Sequence, residues 1–276
     1  MNRIATIMLL ILLISLACKL PLEPSLTFEE EVATKAAIAL TGTAESQQGQ
    51  PLTDQTVSPP TITAKPDQES ATFTPTVSTE DPKLNLGQPD WIDTLTTGNS
   101  FGLDPGGTTT YYTLIKVENG KLVMTRDTAL VGKTWQLAYP RPKDFYLEAK
   151  FENGTCSGDD QYGLVFRADN YTDSFAYYFI ITCDGHYDLL KQTTSGSALL
   201  LNWKTSDEIH KGSNQTNILG IWADGSIIRM YANGKLLKEI NDDSLLNDGH
   251  IGLFIDAKKT AGFTIKMDEI SYWNLP

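Results

Sequence analysis

Histidine and cysteine are scarce in this chain, with three of each among 276 residues. His186, His210 and His250 lie far apart, and none belongs to an H-E-x-x-H pattern. No Cys/His grouping has zinc spacing, so an ordinary zinc hydrolase and a disulfide-dense scaffold are both excluded. Basic charge is also short: Lys+Arg number 22 against 34 Asp+Glu, a net charge of −12. Nucleic-acid binding would need a basic face that this composition does not supply. There is no G-x-S-x-G elbow and no Gly-rich phosphate loop, and Asp104-Pro105-Gly106-Gly107 reads as a turn. The longest apolar run, Ile4 to Ala17, is broken only by Thr6 and Ser15. As a helix it would span about 21 Å, short of the roughly 30 Å hydrocarbon core of a bilayer. After Leu84 no stretch holds a 3.6-residue period and no long repeat is visible, which argues against a helical bundle, a propeller or a β-helix.

What is present begins with an address. Met1 to Arg3 give a cationic start, the apolar run follows, and Cys18 comes directly after Ala17. This is the layout of a secretory signal peptide over residues 1–17. The ending Ser15-Leu16-Ala17-Cys18 resembles a bacterial lipoprotein signal, with Ser15 where Leu is usual. The resemblance implies that Cys18 is lipidated and becomes the new N-terminus. The mature chain would then sit outside the cytoplasm in a bacterial cell envelope, bound to the membrane through its lipid. A plain signal peptide that contains a cysteine is the alternative.

Residues 18–83 read as a tether. Thr27-Phe28-Glu29-Glu30 fits a capping box and Glu31 pairs with Lys35 at i,i+4, which predicts a short helix over 28–40 ended by Gly42. From Thr41 to Lys83 there are ten Thr, four Ser and six Pro. Such a segment buries too little apolar surface to offset its conformational entropy. Between an anchor and a domain, it serves as a spacer.

From Leu84 to Pro276 the pattern is all β. Asn119-Gly120, Asp184-Gly185, Asp224-Gly225 and Asn233-Gly234 each separate two strand-like runs, the strongest short-range hairpin signal. Phe145, Leu147, Ala149 and Phe151 alternate with polar neighbours, as do Ile251, Leu253 and Ile255, and Phe263, Ile265 and Met267. About a dozen strands predict a two-sheet antiparallel sandwich of jelly-roll type. Trp222 and Trp273 lie in apolar strands and are assigned to the core. If 144–152, 161–168 and 174–182 form three consecutive meander strands, Cys156 and Cys183 fall at one end of one sheet. A secreted protein is oxidised, so a Cys156–Cys183 disulfide is expected, with free thiols or metal ligation as alternatives.

The segments YGLVFRADN (162–170), YYFIITCDGHYDLL (177–190), MYANGKLL (230–237), GHIGLFID (249–256) and FTIKMDEISYW (263–273) together resemble the concanavalin A-like lectin/glucanase superfamily. They are most similar to the sandwich domains of bacterial surface lipoproteins related to 3-keto-disaccharide hydrolases. The resemblance implies the concanavalin A-like fold for 84–276. It also implies either carbohydrate binding, glycoside hydrolysis or a structural or protein-interaction role in the envelope. The laminarinase-like branch carries its two carboxyls on one strand as E-x-D-x-x-E, and no such motif exists here. The pairs Asp159-Asp160, Asp207-Glu208, Asp242-Asp243 and Asp268-Glu269 are adjacent in sequence, so strand geometry would send their members to opposite faces. Asp159-Asp160 and Asp242-Asp243 read as solvated loop charges. The expected function is therefore a non-catalytic carbohydrate-binding module with no cofactor. Calcium is common in this superfamily, but no local acidic string marks a site.

Lectins of this type hold sugars on the outer face of one sheet with aromatic rings and planar polar groups. Continuing the alternation, Leu164, Phe166, Phe175, Tyr177, Phe179 and Ile181 point inward. Tyr146, Glu148, Arg167 and Tyr178 then share one exposed patch, with Trp203 beside it. The ordinary reading of the same residues is an Arg167–Glu148 surface ion pair with tyrosines covering core edges.

Overall fold

A computed structural model describes residues 81–276. The signal segment, Cys18 and the helix expected over 28–40 lie outside the described residues. The first described element is a four-residue helix, α1 (Lys83–Leu86), followed by β1 (Trp91–Asp93) and a 3₁₀ turn at Asn99–Phe101. The strands that follow are β2 (Thr108–Thr110), β3 (Thr113–Glu118), β4 (Lys121–Arg126), β5 (Thr134–Leu137), β6 (Phe145–Asn153) and β7 (Gln161–Ala168). Next come β8 (Ala176–Thr182), β9 (His186–Thr193), β10 (Gly196–Leu199), β11 (Lys204–Thr205) and β12 (Thr216–Asp224). The last four are β13 (Ile227–Ala232), β14 (Lys235–Asn241), β15 (His250–Asp256) and β16 (Phe263–Asn274).

These strands form two antiparallel sheets. The first runs β14-β13-β12-β6-β16-β4-β3-β2, with β1 also paired to β16. The second runs β10-β9-β8-β7-β15-β5, with β11 paired to β9. All four Asn-Gly and Asp-Gly pairs turn hairpins, joining β3 to β4, β8 to β9, β12 to β13 and β13 to β14. In these turns Asn119 and Asn233 themselves take left-handed φ of 54° and 51°, as does each following glycine. The fold is thus the jelly-roll sandwich that the alternation and turns predict.

The three-strand meander is corrected. β7 pairs with β8, but β6 lies in the opposite sheet between β12 and β16. The connection from β6 to β7 crosses from one sheet to the other at the end of the sandwich. Cys156 lies on that crossing and Cys183 directly after β8, and the two form a disulfide with Cα atoms 6.0 Å apart. The bond therefore ties the inter-sheet crossing to the β8–β9 turn.

The core lies between the sheets. Phe145, Leu147, Ala149 and Phe151 of β6 meet Leu164 and Phe166 of β7, Tyr177, Phe179 and Ile181 of β8, and Ile251, Leu253 and Ile255 of β15. At about 25 cal/mol per Å² this is the dominant stabilising term. Two smaller apolar clusters lie outside it. Tyr146, Tyr231 and Trp273, with Trp222, Leu236 and Leu86, form one on the outer side of the first sheet. Trp222 and Trp273 therefore belong to this outer cluster and not to the inter-sheet core. Val165, Tyr178, Ile180 and Phe254, with Trp135, Leu190 and Trp203, form the other on the outer side of the second sheet.

Candidate functional site

The five residues expected to share one exposed patch are distributed over both sheets. Tyr146 and Glu148 lie on β6, on the outer side of the first sheet, and both are buried. The chain's own segment around α1 covers them. Lys83 Nζ reaches Glu148 Oε1 at 2.6 Å, Tyr146 Oη donates to Glu148 Oε2 at 3.0 Å, and Trp273 Nε1 donates to the Gly87 carbonyl at 3.0 Å. Burial, and then the Glu148 charge, push the Tyr146 hydroxyl well above its usual range. Glu148 is bound to Lys83, not to Arg167, so the expected cross-strand ion pair is absent.

Arg167 breaks the alternation of β7. Its φ is +52°, and the register of β7 against β15 shifts at this point. This bulge turns the side chain away from the outer face and buries it at the end of the sandwich. There its guanidinium donates to the carbonyls of Gly225 (2.8 Å), Leu245 (3.0 Å) and Lys143 (3.3 Å) and approaches Asp144 at 3.4 Å.

Tyr178 does point outward, opposite Val165 on β7 and Leu190 on β9, as expected. It is not exposed. Lys133 lies across it, with Nζ 4.8 Å from the ring centroid and 2.7 Å from Gln192 Oε1, and the Tyr178 hydroxyl donates to the Ser174 carbonyl at 2.9 Å. With the ring fully buried, no face is left for a ligand. Trp203 alone of the five is both on an outer face and partly open to solvent.

Trp203 stands at one wall of a depression of about 400 Å³ lined also by Asp159, Gln161, Thr182, Asp184 and His186. The strand geometry explains the grouping. Gln161 of β7 sits opposite Thr182 of β8, and Asp184 and His186 belong to the hairpin that follows. β11, immediately after Trp203, pairs Thr205 with His186 and Lys204 with Tyr187. Asn202 and Trp203 both take left-handed φ, 53° and 52°, a region that Asn tolerates and in which a bulky residue such as Trp203 is strained. Asp188 holds them there. This fully buried carboxylate accepts the backbone N–H groups of Leu201 (3.0 Å) and Trp203 (2.6 Å). Asp188 was not singled out in the sequence, although an acid at an outward position of an apolar strand was the available signal.

The polar groups of the depression are partly organised and partly unspent. Asp184 Oδ1 accepts from Thr182 Oγ1 and lies 2.8 Å from His186 Nδ1. Burial pushes the Asp184 carboxyl up, but these two hydrogen bonds outweigh it and hold the group below its usual range. Among the described residues, Asp184 Oδ2, His186 Nε2 and the Gln161 amide have no side-chain partner. An indole wall beside an ionised carboxylate, an imidazole and an amide supplies a stacking surface and planar donors and acceptors in one place. Asp159, expected as a solvated charge, is exposed, whereas its neighbour Asp160 is fully buried. Asp160 Oδ1 accepts the N–H groups of Lys258 (2.8 Å), Lys259 (2.7 Å) and Thr260 (3.1 Å), and Oδ2 that of Ser157 (2.9 Å). It clamps two loops and faces no ligand. Among the described residues no group of three or more His, Cys, Asp and Glu side chains is placed to hold a metal ion.

No family model matches the chain, and no curated protein sequence matches it. Solved structures do match. The chain is similar to the GH43 BlXynB protein from Bacillus licheniformis at 14% identity and a TM-score of 0.50, covering 69% of this chain and 41% of that one. It is similar to a native glycosidic hydrolase at 10% identity and a TM-score of 0.50, covering 67% and 96%. It is also similar, at 10% identity and a TM-score of 0.50, to an endo-acting O-glycanase of prominent members of the human gut microbiota, described as initiating mucin breakdown. That match covers 68% of this chain and all of the other. The likeness is one of fold: the described residues adopt the concanavalin A-like sandwich that the motifs implied.

Proposed function

We propose that this chain is an envelope lipoprotein that displays a carbohydrate-binding β-sandwich, with the depression at Trp203 as its binding site. The observation that carries this reading is the strained Asn202–Trp203 turn, which Asp188 fixes so that the indole stands beside the unspent groups of Asp184, His186 and Gln161. Strain of this kind, of order 1–3 kcal/mol per residue, persists where the surroundings over-determine it and clusters at binding sites. The glycosidic hydrolase and O-glycanase neighbours support sugar as the ligand class. Cys18 and the Thr/Pro/Ser-rich segment after it support display at a membrane surface.

Hydrolysis is the second reading, because Asp159 and Asp184 line the same depression. A glycosidase needs one carboxyl that keeps its proton near neutral pH. Hydrogen bonds hold Asp184 as a carboxylate, the state of a glycosidase nucleophile or base as much as of a sugar-binding acceptor, so the two readings are separated by assay. A glycan array probed with the full chain, read beside reducing-sugar release from the same glycans, separates the two. Retention without sugar release is expected. Release that stops on Asp159→Asn or Asp184→Asn would establish the hydrolase instead.

A further inference from the structure

At the far end of β8 from Trp203 the sandwich opens into a cleft of about 680 Å³ that no role yet occupies. Its walls are the β9–β10 hairpin, the segment 244–248 and the start of the 169–175 loop. Thr193, Thr194, Ser195 and Ser197 line the hairpin side, Ser244 and Asn247 the other. These are hydroxyls and an amide, the groups that exchange hydrogen bonds with a polyol.

The cleft is built rather than incidental. Arg167 forms part of its lining, with a side chain that is fully buried. Four donor contacts hold its terminal nitrogens, so it fixes the end of the sandwich at which the cleft opens. Lys191 stands on another wall, fixed by Asp242 Oδ2 at 2.6 Å and Ser244 Oγ at 2.7 Å, which among the described residues leaves one of its three donors unspent. Arg141 pins two walls together, donating to the Asp248 carboxylate (2.9 Å) and carbonyl (3.2 Å) and to the Asp169 carbonyl (2.7 Å). Lys191 is paired with Asp242 and Asp248 with Arg141, so the lining favours no strong charge.

We infer that this cleft is a second binding site for neutral carbohydrate, so that the domain engages one glycan at two points. The inference rests on the sugar-binding reading of the Trp203 depression. Phe175 at the cleft and Thr182 at the depression are seven residues apart along β8, about 23 Å at ~3.3 Å per residue. Two sites on one rigid body raise avidity for a polymer without any new contact.

Isothermal titration of the full chain with laminaritetraose and xylotetraose counts the sites. Two equivalents per chain are expected for the better-bound tetraose. Ser197→Trp, which fills the cleft from an exposed strand, should leave one equivalent that still changes indole fluorescence. Trp203→Ala should also leave one. Thr194→Trp repeats the block from the neighbouring turn should the Ser197 variant misfold. One equivalent abolished by Trp203→Ala and untouched by Ser197→Trp would overturn the cleft and retain the outer-face reading. One equivalent abolished by Ser197→Trp alone would keep the cleft and overturn the outer face. No heat with either sugar, and no retention on the glycan array, would overturn both.

Discussion

Tyr178 and Arg167 show how far single residues can be read and where reading stops. Alternation assigned Tyr178 to the outer face, and it is there, because a strand fixes side-chain direction by parity alone. Its burial under Lys133 was not legible, since Lys133 lies far away in sequence and arrives through the fold. The same parity failed at Arg167, where a bulge inserts a left-handed residue and resets direction. The change of role has a consequence. Tyr178→Ala should destabilise the protein by about 3 kcal/mol or more, as a large ring is lost from a closed site, and should leave glycan affinity unchanged. Denaturant melts beside a binding assay check this.

Asp242 belongs to the same scale. Burial pushes its carboxyl up, but hydrogen bonds from Lys191, Tyr177 and Ser244 prevail and hold it at about 2, below the ordinary 3.8. A depressed folded-state pKa contributes stability above the unfolded-state value and loses it as pH falls through the folded one. The contribution, on the order of 2 kcal/mol, should therefore be intact at pH 5 and vanish between about pH 4 and pH 2. Thermal melts over this window should show a shallower decline for Asp242→Asn than for the wild type.

Among elements, the hairpins were the most legible because their chemistry is local. Asn119-Gly120 and Asn233-Gly234 supply left-handed backbone at the turn itself, and both turn adjacent strands as read. The sheet partner of β6 was not legible, because seven residues between Asn153 and Gln161 can return to the same sheet or cross to the other. They cross, and the Cys156–Cys183 bond fastens that crossing to the β8–β9 turn, 27 residues away in sequence. Replacing both cysteines with alanine should cost roughly 3–4 kcal/mol in the chain-entropy estimate. Because Asp184 and His186 follow Cys183 in that turn, the double variant should also bind glycan less tightly at temperatures well below its melting point. A melting temperature equal to that of the wild type would show that the crossing is held without the bond, by the Asp160 clamp and the backbone ties of Gly154 and Cys156.

For the whole molecule, the two-sheet sandwich was legible from alternation, turn spacing and five motif segments, whereas the candidate site was only partly so. Trp203 was named, but Asp184, His186 and Gln161 join it through strand register and the return of β11 onto β9, which no local pattern encodes. The proposed placement of the domain at a membrane rests on the sequence before it. Cys18→Ala should move the protein from the membrane to the soluble fraction, since each buried CH₂ of an acyl chain supplies about 0.8 kcal/mol. Fractionation with the signal cleaved tests this, and wild-type retention of the variant would exclude the lipid anchor.

The claim that organises all of this is that Trp203 and the groups around it bind carbohydrate. The most direct test is the affinity of the full chain for the strongest glycan on the array, immobilised, measured for the wild type, Trp203→Ala and His186→Ala. Each variant should first be shown to melt cooperatively. Both should lose affinity by tenfold or more, about 1.4 kcal/mol, as the stacking surface or a planar partner disappears. Folded variants that bind as tightly as the wild type would contradict the assignment.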